Sequence, residues 1–418
     1  MEVIMKKNRW LIALSAIAIH LSIGSVYAYS VLKYPIVENL GWSDKTVTVS
    51  FTIAIALLGT SAASFGRFVE KWGPRKSATI AAFFFAGGQV IAGFGMLSSS
   101  VTLFYLGYGV IGGIGLGLGY ISPVSTLVKW FPDRRGLATG MAVMGFGAGS
   151  LIAAPVITQL IQGVGLHNMF FIMAVVYFIL MISGASYIVK PEDGYMPSFT
   201  SNKEKKAIKI TPSLQQLNAQ EAIRTPRFWL LWMMMFINIS TGIMLISAAS
   251  PLAQTKAGMT ATAAAAMVGI MGLFNGGGRL GWSAFSDRLG RSNVFLMFFA
   301  VEAIIMLLLP NVTNALLLQG LIFITVSMYG GGFALLPAFI SDLFGTRQLG
   351  AIHGLLLTAW SAAGVFGPLL VAYIHDATGN YNTAFYIFAG LIGIAFVISL
   401  VMKQNIRSFE RQSINKAS

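Results

Sequence analysis

"GRFVEKWGPRK", residues 66–76, sets one acid, four bases and two glycines between two stretches that carry almost no charge. The pattern returns as "SAFSDRLGRS", residues 283–292. Phe68, Glu70, Lys71 and Gly73 match Phe285, Asp287, Arg288 and Gly290, each pair 217 residues apart. A second echo sets Phe131 and Arg134 of "WFPDRRG" against Phe344 and Arg347 of "LFGTRQLG", both 213 residues apart. A charged turn repeated between apolar stretches implies two similar halves. Acid, base and turn glycine in so short a loop can lock neighbouring helix ends by charge pairing.

The surroundings of these loops are those of a membrane protein. Of 418 residues 56% are hydrophobic and 10% charged, with a mean hydropathy of +0.74. Soluble domains run near a quarter charged. A helical span needs roughly 20 apolar residues. Such stretches fall at 11–31, 46–65, 77–97, 101–124, 137–161 and 169–189, then at 228–250, 261–284, 293–310, 315–340, 349–372 and 384–402. The expected fold is therefore all-α and integral to the membrane, with twelve spanning helices in two sets of six. Residues 1–189 form the first bundle, 190–227 a polar linker, 228–402 the second bundle and 403–418 a tail. Lys6, Lys7 and Arg9 before an apolar run imitate a secretory leader, but eleven further stretches follow, so the segment reads as a retained first helix. Parallel repeats of this kind place a cargo site near the midplane, where the halves meet.

The net charge of +14 does not point to nucleic acid, because the bases lie between spans rather than in one stripe. Of 28 Lys and Arg, 24 fall at the termini, in alternate loops and in the linker. The opposite loops hold only Lys33, Lys45 and Lys256. The positive-inside bias puts both termini and the linker in the cytoplasm of a multi-pass cell-membrane protein. With no cysteine, four histidines and no H-E-x-x-H spacing, the chain offers no thiolate or metal chemistry, and no cofactor is expected. No nucleophile, base and orienter triplet appears, so an enzyme is not expected.

Arg279 alone belongs to no loop. It stands eight residues before Asp287, about 12 Å along the helix from the basic end. A guanidinium near midplane costs several kcal/mol unless water, a partner or a ligand answers it. It either snorkels, sits in a structural ion pair, or anchors a carboxylate with its planar fork. Asn275, one turn earlier on the same face, orients Arg279, touches cargo, or packs. Gly276, Gly277 and Gly278 beside it read as close-packing positions. A literal G-x-G-x-x-G at Gly107, Gly109 and Gly112 follows no strand, and helix contact explains it better than a dinucleotide.

Here the motifs become specific. The loops at 66–76 and 283–291 resemble the signature loop of the major facilitator superfamily, in both halves, and the resemblance covers nearly the whole chain. "GSVYAYSVL" (24–32), "GLGYISPVSTLVKWFPDRRGLATG" (117–140), "LFNGGGRLGWSAFSD" (273–287) and "YGGGFALLPAFISDLFG" (329–345) resemble the oxalate/formate antiporter family and its monocarboxylate-transporting relatives. The resemblance implies a transporter that works by alternating access. Arg279 would bind the substrate carboxylate, Tyr120 and Tyr329 would donate hydrogen bonds, and Tyr27 would join an aromatic cage around a small anion. Phe333 falls where relatives can carry tyrosine, and Tyr29 reads as core or interface anchor. The gate residues are Gly66, Glu70, Lys71, Gly73 and Arg75 with Asp287, Arg288, Gly290 and Arg291. The pairs Glu70/Lys71 and Asp287/Arg288 are expected to latch the inward-closed state, with Asp342 near Arg288 or Arg291.

Oxalate-specialised relatives carry a lysine in helix 11, where Trp360 stands here. With helix 11 read as holding no basic residue, one arginine neutralises one carboxylate, and a second charge stays unanswered in a low-dielectric pocket. The cargo expected is a small monocarboxylate of the lactate, pyruvate or formate class. Oxalate/formate exchange, a drug or sugar facilitator, and a non-transporting carboxylate receptor are the alternatives. Protons or an exchanged anion are the candidate coupling partners, and the bilayer is the other partner. Glu302 in helix 9 is a coupling acid, a counter-ion for Arg279, or a residue that faces water or snorkels from the bundle edge. His20, seven residues before Tyr27 and nearly on its face, either titrates or is a satisfied core histidine.

Overall fold

The structure, a computed structural model, describes residues 7–42, 44–192, 194–195 and 214–417. The apolar stretches fold as twelve long helices, and no strand occurs among the described residues. The first set is α1 (Arg9–Gly24), α2 (Asp44–Trp72), α3 (Pro74–Leu97), α4 (Gly112–Trp130), α5 (Arg135–Val164) and α6 (Leu166–Tyr187). The second is α7 (Pro226–Ala257), α8 (Ala261–Leu289), α9 (Arg291–Leu308), α10 (Ala315–Phe344), α11 (Leu349–Thr378) and α12 (Asn382–Ala417). Eleven segments among the described residues are long and apolar enough to cross a membrane. The sequence leads to twelve, and α8 is the long helix not counted among these described segments.

Local chemistry sets the helix ends. Asn8, Thr225, Thr260 and Asn314 each accept a first-turn amide with the side chain, and Pro226 opens α7, where its missing N–H is no loss. Gly73 (φ 83°) and Gly290 (φ 84°) make the same turn in the two repeated loops, a backbone region that only glycine enters without strain. Three boundaries differ from the sequence expectation. α1 continues through a 3-10 turn, Ser25–Ala28, into a further helix, Ser30–Leu40. α4 is preceded by Val101–Phe104 and a π-helical turn, Tyr105–Ile111. The expected tail is helical, and its Phe409 packs under the Arg227 guanidinium at 4.5 Å. The linker lysines Lys203, Lys205, Lys206 and Lys209 lie outside the described residues.

The two sets of six helices meet along two crossings, α2 on α11 and α5 on α8, and these repeat each other residue by residue. A Cβ on Gly354 would run into the Ala62 carbonyl, and one on Gly140 would come within 2.9 Å of the Arg279 carbonyl. Gly59 faces Ser361 as Gly276 faces Gly147. Ala62 and Arg279 therefore hold equivalent places on matching backbones. One projects a methyl group and the other a guanidinium. The glycine run of α4 is a packing surface too: Gly113 abuts Ala54, Gly115 abuts Phe85 and Gly117 abuts Leu58.

Candidate functional site

Arg279 is fully buried at the α5–α8 crossing. Its Nε donates to Asn275 Oδ1 at 3.0 Å, so Asn275 sets the rotation of the fork. Gly147 lies beside its stem and packs on Gly276, whose Cα a Cβ there would approach to 3.3 Å. Both Nη nitrogens are buried without a hydrogen-bond partner of good geometry, and no acid among the described residues pairs with them. A snorkelling or ion-paired arginine would show the opposite.

Aromatic rings enclose the guanidinium. Its carbon lies 5.3 Å from the Phe333 ring centroid, 5.8 Å from Phe146 and 6.0 Å from Tyr27. Trp360 closes the ring set, at 4.5 Å from Phe333, 5.8 Å from Tyr120, 5.9 Å from Phe146 and 6.4 Å from Tyr27. Tyr329 stands edge-on to Phe333 at 5.3 Å, in space that Gly242 leaves open. The hydroxyls of Tyr27 and Tyr120 are buried without a partner of good geometry. Tyr27, Tyr120 and Tyr329 all feel the Arg279 charge. The result is one cation with two free donor nitrogens, flanked by phenols and otherwise apolar. Such a set of groups suits an anion with a small hydrocarbon body. Tyr29 is elsewhere, its hydroxyl on Val47 O and Ser50 Oγ, in a structural role.

The structure adds two residues that the sequence reading missed. Phe146 touches Tyr27, Tyr120 and Trp360; its only sequence signal is an aromatic between Gly145 and Gly147. His353 corrects the reading of helix 11 as free of basic residues. It is fully buried two turns before Trp360 on the same face, 5.6 Å from the Tyr120 ring, and neither ring nitrogen has a partner. An imidazole is not a lysine, but helix 11 does bring a titratable nitrogen to the cage wall.

Glu302 is corrected as well. It neither faces water nor snorkels nor pairs with Arg279. It is fully buried and accepts from Asn238 Nδ2 at 3.3 Å, while its Oε2 meets no partner. The amide on α7 draws the acid inward, and Gly332 on α10 leaves space for the other end of that amide. His20 is fully buried against the cage from behind, its ring stacked on Tyr120 at 5.2 Å. Nδ1 lies 2.6 Å from Ala142 O and Nε2 3.1 Å from Tyr120 O.

At the basic end the gate acids take partners other than those expected. Lys71, Arg75 and Arg288 are exposed and pair with no acid among the described residues. Glu70 instead meets Lys129 at 2.8 Å and accepts the Gly350 amide at 2.9 Å, in the first turn of α11. Asp287 meets Arg291 at 2.5 Å and accepts the amides of Gly136 and Leu137 at 2.9 and 3.0 Å, in the first turn of α5. Each acid thus crosses to the other set of helices and caps a helix N-terminus there, where partial positive charge collects. Gly66 packs on Gly350, as Ser283 packs on Gly136. Asp342 bridges Arg135 at 2.9 Å and Arg291 at 3.3 Å. The linker joins this end through Leu214 N to Asp342 O, 2.7 Å, and Leu217 N to Phe344 O, 2.9 Å.

Comparison with known proteins agrees with this architecture. The Major Facilitator Superfamily model matches residues 14–368 and again 282–413. The chain is 32% identical over 398 residues to the oxalate:formate antiporter of Oxalobacter formigenes, covering 94% of this chain and 91% of that one. It is 24% identical over 339 residues to monocarboxylate transporter 12 of Mus musculus, covering 76% and 69%. The structure of the human organic anion transporter MFSD10 superposes with a TM-score of 0.73 at 12% identity, over 94% of this chain and all of that one. Two repeated gate loops, six helices on either side of a polar linker, and relatives that span both halves lead to one assignment: this chain is a multi-pass membrane transporter of the Major Facilitator Superfamily.

Proposed function

We propose that the transporter carries a small monocarboxylate of the lactate, pyruvate or formate class by alternating access, with Arg279 as the carboxylate anchor. One observation carries the reading: a fully buried guanidinium whose Nε is held by Asn275 and whose two Nη nitrogens face an aromatic cage with no counter-ion. Bidentate contact with a carboxylate would answer both nitrogens at once. Tyr27, Tyr120 and Tyr329 would donate hydrogen bonds to the anion, and Trp360, Phe146 and Phe333 would surround its hydrocarbon end. Helix 11 offers no lysine or arginine for a second carboxylate.

The basic end is cytoplasmic on this reading, by the excess of Lys and Arg there. The Glu70 and Asp287 caps then hold the inward-closed state, and cargo enters from the opposite side. Breaking those caps exposes Arg279 to the cytoplasm, and water there replaces the cage contacts so that cargo leaves. Residues 1–189 and 228–402 rock as the two moving bodies about the 190–227 linker. Oxalate/formate exchange is the second reading, favoured by the relative that shares 32% identity and is named for that exchange.

The test is uptake of labelled lactate, pyruvate, formate and oxalate into proteoliposomes, with and without a pH gradient. The expected result is saturable monocarboxylate uptake, oxalate uptake at least about tenfold weaker, and loss of roughly 100-fold or more in Arg279→Gln, from an unpaired buried charge partner. Uptake by Arg279→Gln equal to the parent's would overturn the assignment of the anchor. Dominant oxalate uptake would favour the second reading.

A further inference from the structure

His20 has a hydrogen-bonding problem that only a proton solves. Its Nδ1 faces the Ala142 carbonyl of α5 at 2.6 Å and its Nε2 faces the Tyr120 carbonyl of α4 at 3.1 Å. A neutral imidazole has one N–H and one lone pair. Either neutral tautomer therefore points a nitrogen lone pair at a carbonyl lone pair. An imidazolium donates to both oxygens, and each carbonyl has a second lone pair for a donor beyond its helical partner. The ring also lies flat on the Tyr120 face, 5.2 Å between centroids and 15° between planes, with the Phe146 ring 6.3 Å away at 86°. A π face favours a cation over a neutral ring.

The groups around His20 decide what balances that charge. Tyr120 faces it from α4, and His353 and Arg279 act on it electrostatically from α11 and α8. α5 carries no titratable side chain past Arg135, which Asp342 holds at the basic end. On α6, Tyr177 is turned to Phe85 and His167 stands in the first turn, at the opposite end. No acid is near. Desolvation and the Arg279 charge oppose a proton on His20, while the two carbonyls and the Tyr120 face favour it. The missing term is an anion.

We propose that His20 takes up the transported proton together with the cargo carboxylate, becoming an imidazolium that bridges the Tyr120 and Ala142 carbonyls. This rests on the proposed binding of a carboxylate at Arg279. The carboxylate cancels the repulsion between the two cations, so each binding event strengthens the other by the same factor. The proton comes from the side where cargo enters and returns to water on the side where cargo leaves. Without cargo the site holds the proton poorly, which limits proton leak.

Two measurements test the proposal. The first is 15N NMR of the histidine-labelled full chain in lipid bilayers near pH 7. The signal of His20 is assigned by its loss in His20→Gln, or read directly in a chain carrying His167→Gln, His353→Gln and His375→Gln. Saturating lactate should raise the doubly protonated population of His20 about tenfold, an ordinary size for such coupling. A single-N–H signal that ignores lactate overturns the proposal. The second is lactate-driven proton movement in proteoliposomes, read with an entrapped pH dye. In His20→Gln the ratio of proton movement to lactate/lactate exchange should fall about tenfold or more, as expected when one side of a linkage is removed. An unchanged ratio in His20→Gln overturns it. Absence of lactate exchange in the parent would instead remove the carboxylate reading itself, a result distinct from either failure of His20.

Discussion

Asp287→Asn should open the basic end without touching the cage. The carboxylate accepts the Gly136 and Leu137 amides and pairs with Arg291. An asparagine keeps one acceptor oxygen, turns an NH2 group toward a donor, and no longer attracts either Arg291 or the α5 N-terminus. Loss of one charge-assisted bond plus the helix-end term, reduced for the part of the side chain that solvent reaches, amounts to about 2–3 kcal/mol. The ratio of closed to open forms should fall roughly 30- to 150-fold. The chain contains no cysteine, so a single introduced thiol can report the change against no background. Thr139 is fully buried on α5 beside the Ala334 carbonyl of α10, 2.7 Å away, and becomes reachable only when those helices part. Maleimide labelling of Thr139→Cys, applied from the basic side, should accelerate by that factor when Asp287→Asn is added. Arg288→Gln in the same background should leave the rate unchanged, since Arg288 is exposed and pairs with no acid among the described residues. Equal labelling in Thr139→Cys with and without Asp287→Asn would refute the idea that this cap holds the end shut.

Two further outcomes follow from the site and its crossings. Trp360→Lys should shift competition in uptake toward oxalate over formate by about tenfold, one 1.4 kcal/mol step; an unchanged ratio would argue that position 360 does not face the cargo. Gly276→Ala should be tolerated, since a Cβ there meets nothing, whereas Gly278→Ala drives a methyl group into the Ser327 carbonyl of α10 and should cost about 1–3 kcal/mol. Thermal midpoints of the two detergent-solubilised variants compare them directly.

Much of this was legible from the chain alone because membrane constraints act locally. Each span must satisfy its own backbone, so length and apolarity mark it, and the exclusion of charge from spans made Arg279 conspicuous by counting. The repeat at 217 residues was legible because turn glycines and loop acids recur in order. What did not show was which groups meet across helices. Lys71 follows Glu70 directly, but adjacent helical residues point about 100° apart, and the ammonium groups that reach Glu70 are those of Lys129 on α4 and Lys190. Arg291 lies beyond the turn at Gly290, which folds it back onto Asp287 more closely than Arg288 can come. Phe146 and His353 entered the cage through helix rotation, a property of packing rather than of composition. Glu302 turned inward because one amide on α7 awaited it.

The two crossing acids have a consequence for how the chain is put together. Glu70 finishes the first turn of α11 and Asp287 finishes the first turn of α5, so neither set of six helices supplies all the caps that its own helices need. The seam is an isologous contact inside a single polypeptide, the same patch offered twice about a pseudo-twofold axis, as in a symmetric dimer. Two polypeptides cut apart within 190–227 and expressed together should therefore find each other by that reciprocity, and either fragment alone should be left with unfinished helix ends.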